Sequence, residues 1–135
     1  MIVIVDYGSG NLKSVFKAFE KVSADLNNGP KVVVSKDPRT LKMASHIVLP
    51  GVGAFEDCKN GLFSIPGMED CLRSEVIVSG KPFLGICVGM QLLANWGWEN
   101  RKISGLGWVE GEVVGIRPSS RDLKVPHMGW NNINF

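Results

Sequence analysis

Apolar residues in this chain are distributed in two ways. Four short runs are almost continuously apolar: Ile2 to Val5, Val32 to Val34, Ile47 to Leu49 and Phe83 to Ile86. Continuous rather than alternating apolarity implies burial on both faces, as in a parallel sheet covered by helices. Between the runs the spacing is helical. Leu12, Val15, Phe16, Phe19 and Val22 recur every three or four residues behind Asn11, a candidate cap. Met68, Cys71, Leu72 and Val76 form a second stripe, entered through Pro66, and Val88, Leu92, Leu93 and Trp96 a third. The alternation predicts an open, mostly parallel α/β sheet with right-handed crossovers and helices on both faces. After Gly97 the texture changes. Gly105 to Val114 reads as two short strands around a turn and His127 to Phe135 as a last strand, so this C-terminal portion is expected to be antiparallel and more exposed. Residues 1–135 read as one domain.

In such sheets ligands sit outside the carboxyl ends of the strands. Here those ends are Asp6-Tyr7-Gly8-Ser9-Gly10, Pro50-Gly51-Val52-Gly53 and Gly85-Ile86-Cys87-Val88-Gly89. Two are glycine-rich and the third holds a cysteine.

Composition narrows the choices. The formal net charge is +2 with both signs interspersed, which gives no footprint for nucleic acid. The apolar runs are too short to span a bilayer. The chain opens directly on a strand-like run, so a secretory leader is not expected. Three cysteines, Cys58, Cys71 and Cys87, with no Cys-x-x-Cys pair, suit a reducing cytoplasm better than a disulfide framework. The two histidines, His46 and His127, make no metal-ligand spacing with them. Neither a metal nor another cofactor is expected.

Cys87 stands out. Gly85-x-Cys87-x-Gly89 lies between a strand run and a helical stripe, the nucleophile-elbow pattern with sulfur as the nucleophile. A side chain held in so sharp a turn needs small neighbours two residues away on either side. A cysteine at a helix N-terminus has its thiolate favoured by the dipole and by free N–H groups. The Val88 N–H points where an oxyanion would develop, and the Pro50–Gly53 loop can supply a second donor, with its glycines permitting the peptide to reorient. The competing reading, a small buried hydrophobe, fits Cys58 and Cys71, which are read as structural.

With these motifs in order, and with Pro126-His127-Met128-Gly129-Trp130-Asn131 after them, the chain resembles the class I, triad-type glutamine amidotransferases throughout its length. The segments Asp6 to Leu12 and Pro126 to Asn131 resemble the glutaminase subunits of imidazole glycerol phosphate synthase in particular. The resemblance implies a flavodoxin-like sheet and a glutaminase. Cys87 would attack the carboxamide of L-glutamine, with the Val52 and Val88 N–H groups on the oxyanion and Gly51 and Gly53 letting the loop adjust. Gln91 and Glu99 would hold the amino-acid end of the substrate, although a helix-end charge explains Glu99 equally well. Ammonia would pass to a (β/α)₈-barrel cyclase subunit in histidine biosynthesis. His127, Met128, Trp130 and Asn131 would face that partner, with Trp130 an anchor unless it packs in the core. Asn11 would lie near the partner or simply cap its helix.

The family's His-x-Glu segment, which supplies the general base, has no match here. His46 begins a strand whose other end is the oxyanion loop, about 13 Å away for roughly four residues, so it is read as structural. His127 belongs to the segment assigned to the partner. The chain is therefore expected to be incomplete at its C-terminus, with little glutaminase activity alone. Two other readings stay open: a non-catalytic scaffold that docks the barrel, and another cysteine enzyme on a flavodoxin-like sheet. Dinucleotide binding does not fit, because the third glycine of the fingerprint would fall at Lys13.

Overall fold

Strands β1 (Ile2–Val5), β2 (Val32–Ser35), β3 (His46–Gly51) and β4 (Phe83–Cys87) pair in the order β2-β1-β3-β4, every neighbour parallel. They belong to a computed structural model that describes residues 1–120 and 122–134. Helix α1 (Leu12–Ala24) crosses from β1 to β2, α2 (Pro38–Lys42) from β2 to β3, and α3 (Phe55–Phe63) and α4 (Met68–Leu72) from β3 to β4. Helix α4 runs on into a π-helical stretch, Arg73–Val78.

The two-residue period of a strand divides the core. Val3, Val5, Ile47 and Leu49 face Leu41, Phe55, Leu62, Met68 and Leu72 on one side, while Ile2, Ile4 and Val48 face Leu12, Val15, Phe16 and Phe19 of α1 on the other. Helices therefore lie on both faces, as the apolar runs imply. Burial on both faces holds for the central strands β1 and β3. It does not hold for the outer strands, where Val34 and Leu84 are exposed. The stripe through Met68, Cys71 and Leu72 is buried as expected, whereas α2 and α3 carry apolar stripes too short for the periodicity to show.

Beyond β4 the structure departs from the sequence reading. The third stripe becomes a single turn, α5 (Val88–Gln91), followed by strand β5 (Ala94–Trp98). The carbonyls of residues 92–95, which a longer helix would point at its own amides, accept from a distant segment instead. Leu92 accepts from Leu106 (2.7 Å), Leu93 from Trp108 (2.8 Å) and Asn95 from Gly105 (2.8 Å). Strands β6 (Lys102–Ser104) and β7 (Val109–Val113) flank β5, antiparallel and parallel respectively. The small sheet is thus mixed rather than antiparallel. Gly105 to Val114 contributes only β7, because Gly105 to Trp108 are spent bonding to residues 92–95. The last strand expected from His127 does not form: residues 127–134 are irregular and exposed, and Phe135 lies outside the described residues. Helix α3 ties the small sheet to the large one. Its Lys59 ammonium donates to Ser104 Oγ (2.6 Å), Glu56 pairs with Arg101, and Gly97 passes flat against the Phe55 ring.

Candidate active site

Cys87 closes β4 and opens α5 with φ 54° and ψ −119°, a left-handed conformation that L residues rarely adopt. The chain reaches it only because its neighbours lack side chains. A Cβ at Gly85 would stand 2.6 Å from Met90 Cα, and one at Gly89 would fall onto the carbonyl oxygen of Leu49. The elbow is thus wedged against β3, with Cys87 paired to Gly51 in the sheet register. Val88 behind it is buried, while Cys87 itself is exposed. Helix α5 is too short to build much macrodipole, so what it offers is its first N–H groups, which have no carbonyl within the helix.

The loop after β3 lies alongside. Gly51 is buried, Val52 is exposed, and Gly53 has φ 96°. The Val52 N–H donates to Ser9 Oγ (3.1 Å), and the Ser9 hydroxyl donates back to the Val52 carbonyl (2.7 Å). One hydroxyl can satisfy both groups because it donates and accepts at once. The amide expected to face Cys87 is therefore engaged by the β1–α1 loop. Cys58, on α3, joins the same cluster, 3.2 Å from Ser9 Oγ and 3.3 Å from the Val52 oxygen. Beneath the loop, the buried Tyr7 hydroxyl donates to the Pro50 carbonyl (2.6 Å). Burial, together with Cys58, pushes the Tyr7 pKa far above the ordinary phenol value.

The remaining candidates are spread more widely. Gln91 ends α5 and lines an open cleft of about 440 Å³ with Met90, Ala94, Val109 and Val113. Glu99 crosses to the large sheet, where its carboxylate accepts from the Phe55 N–H (2.9 Å). Helix α3 has Ala54 at its N-cap and no capping side chain of its own, so Glu99 serves instead, at the favourable end of the helix dipole. Asn11 caps α1, accepting from the Ser14 N–H (3.3 Å). His127, Met128, Trp130 and Asn131 follow the small sheet as an exposed stretch, and Trp130 packs on nothing. His46 stands at the amino end of β3, opposite the loop, with its Nδ1 3.0 Å from Ser45 Oγ. Cys71 is buried with its thiol donating to the Pro38 carbonyl (3.1 Å), and burial raises its pKa. Among the described residues no cluster of His, Cys, Asp and Glu could hold a metal, and no helix is long and apolar enough to cross a membrane.

Sequence reasoning did not single out Tyr7, Ser9 or Cys58 for this cluster. Tyr7 and Ser9 lie in the glycine-rich end of β1, where a signal was available. Cys58 carried none, because only the angle of α3 brings its thiol to Val52.

Comparison with known proteins agrees with this geometry. The glutamine amidotransferase class-I family model matches residues 3–132. The chain belongs to the class-I glutamine amidotransferases. Within that family it is 50% identical over 133 residues to the imidazole glycerol phosphate synthase subunit HisH of Rhodopseudomonas palustris, covering 98% of this chain and 62% of the relative. It is 48% identical over 134 residues to the HisH subunit of Rhodospirillum rubrum, covering 99% of this chain and 63% of that relative. With the HisH subunit of Rhizobium meliloti the identity is 44% over 134 residues, covering 99% of this chain and 62% of that relative. The chain thus spans somewhat under two thirds of the length of these class-I relatives.

Proposed function

We propose that this chain carries the nucleophile half of a glutaminase centre that serves an imidazole glycerol phosphate synthase. The observation that carries the reading is the exposed Cys87 thiol at a left-handed turn that only its two flanking glycines allow. In this reading the Cys87 sulfur attacks the carboxamide carbon of L-glutamine. The oxyanion forms beside the Val88 N–H and, once the Val52 peptide turns away from Ser9, the Val52 N–H. Collapse of the adduct expels ammonia and leaves a thioester, which water hydrolyses to glutamate. Turning the Gly51–Val52 peptide breaks the hydrogen bond from the Val52 N–H to Ser9, worth about 1 kcal/mol, and the glycines on either side, Gly51 and Gly53, ease the change of backbone angles. Gln91 and the Glu99 carboxylate would hold the amino-acid end of the substrate, a carboxylate being a suitable partner for its ammonium. The relatives are named as subunits of imidazole glycerol phosphate synthase, which supports a further synthase subunit as the acceptor of ammonia; in this reading that acceptor is a barrel cyclase of histidine biosynthesis in the cytoplasm. The exposed Trp130, with His127, Met128 and Asn131, and Asn11 across the β1–α1 loop, are the proposed contact residues, tryptophan being a common interface anchor.

Treatment with a chloroketone analogue of glutamine tests this reading. Mass spectrometry is expected to find one adduct, on Cys87, slowed by added glutamine and absent in Cys87→Ala. Modification spread evenly over Cys58, Cys71 and Cys87, or insensitive to glutamine, would leave the scaffold reading in its place.

A further inference from the structure

We propose that Tyr7 is a positioning residue of the glutaminase centre, its hydroxyl fixing the Pro50 carbonyl so that rotation of the neighbouring loop is confined to the peptide carrying the Val52 N–H. The proposal rests on the glutaminase reading and assigns a role to a residue that does not itself meet the substrate.

Tyr7 is the single tyrosine of the chain, and it is buried. A phenylalanine would fill the same apolar space, so the hydroxyl must be explained by what it touches. It donates to the Pro50 carbonyl at 2.6 Å in a buried bond. A Cβ built on Gly51 would lie 2.8 Å from that hydroxyl and 2.5 Å from the Gly89 nitrogen. The phenol thus reaches the point where the loop after β3 meets the backbone of the cysteine elbow. On its other side, a Cβ at Gly61 would stand 2.8 Å from the Tyr7 carbonyl oxygen, so α3 is drawn close against the residue from behind.

The consequence is a division of labour along the loop. The Pro50 carbonyl, held by Tyr7, is the fixed end. Val52, held by Ser9 through its N–H and its carbonyl, is an end that another arrangement of the β1–α1 loop can release. Between them lies Gly51, whose lack of a side chain makes it the pivot. Without the Tyr7 bond the Pro50–Gly51 peptide could turn as well, and the Val52 N–H would be presented over a range of positions. Transition-state stabilisation by such a donor depends on its being preset within hydrogen-bonding distance. The titratable groups facing the hydroxyl are Cys58 from α3 and Cys87 from the elbow, and both favour the neutral phenol.

The experiment uses the assembled synthase, with the barrel subunit made separately, and follows the rate of adduct formation at Cys87 with the chloroketone, whose ketone oxygen engages the amide donors, and with iodoacetamide, which makes no use of them. Tyr7→Phe is expected to slow chloroketone labelling about tenfold and iodoacetamide labelling by less than about twofold. A loss of packing alone would move both rates together, so their ratio remains readable should Tyr7→Phe fold poorly. A ratio of the two rates unchanged in Tyr7→Phe overturns the proposal. If the chloroketone does not label the parent at Cys87, the glutaminase reading fails and takes the proposal with it. A labelled parent with an unaffected variant removes the Tyr7 role alone.

Discussion

Replacing Cys87 with glycine is expected to abolish labelling by glutamine-derived electrophiles and, at the same time, to leave a protein about 1 kcal/mol more stable than Cys87→Ala. At an ordinary exposed position the order is the reverse, because glycine has more freedom to lose on folding. At Cys87 the left-handed backbone reverses it. A Cβ held at φ 54° and ψ −119° carries strain of roughly 1–3 kcal/mol, and glycine relieves it. The side chain is exposed, so little burial is lost to offset the gain. Alanine removes the sulfur but keeps the strained Cβ, which makes it the proper reference. Urea denaturation of the two variants, compared at equal slope, measures the difference. Equal midpoints, or alanine the more stable, would mean that the elbow is not strained.

Gly89→Ala should have the larger effect on the fold. A methyl group at this position would fall on the carbonyl oxygen of Leu49, with the Pro50 carbonyl carbon 3.1 Å away. Both belong to β3, a central strand paired on both sides, so the backbone that would have to move is the least able to do so. A destabilisation of about 3 kcal/mol or more is expected, with loss of Cys87 labelling even in whatever fraction stays folded. Gly115→Ala is the control. A methyl group there would have nothing within 4 Å and the backbone φ is ordinary, so it should change stability by less than about 0.5 kcal/mol. Thermal melts of the three proteins are sufficient. A Gly89→Ala protein that melts with the parent would show that α5 does not press against β3 as described.

The parallel sheet was legible because its signals are local. Ile2 to Val5 and Ile47 to Leu49 are apolar on both faces, and both strands are buried on both faces in the structure. The elbow was legible for a related reason: glycine two residues on either side of a cysteine is a steric requirement written directly into the chain. The region after α5 was not. Leu92, Leu93 and Trp96 fit a helical stripe as well as they fit the start of a strand, and the choice was made by Gly105 to Trp108 bonding to the carbonyls of residues 92–95. Glu99 shows the same limit at one residue. Its place at the N-terminus of α3, 44 positions away in sequence, follows only from the docking of the small sheet.

The amino-acid sequence by itself determined the strand–helix alternation and the glycine-flanked cysteine elbow between β4 and α5. These depend on burial patterns and steric room within a few residues of each other. Only the tertiary structure decided which way the Val52 amide faces, because that depends on a serine hydroxyl 43 positions away, and how Tyr7 and Cys58 come to lie beneath the same loop. A hydrogen bond of about 1 kcal/mol leaves no periodic trace in a sequence, since either partner can be satisfied in many other ways until packing brings the two together.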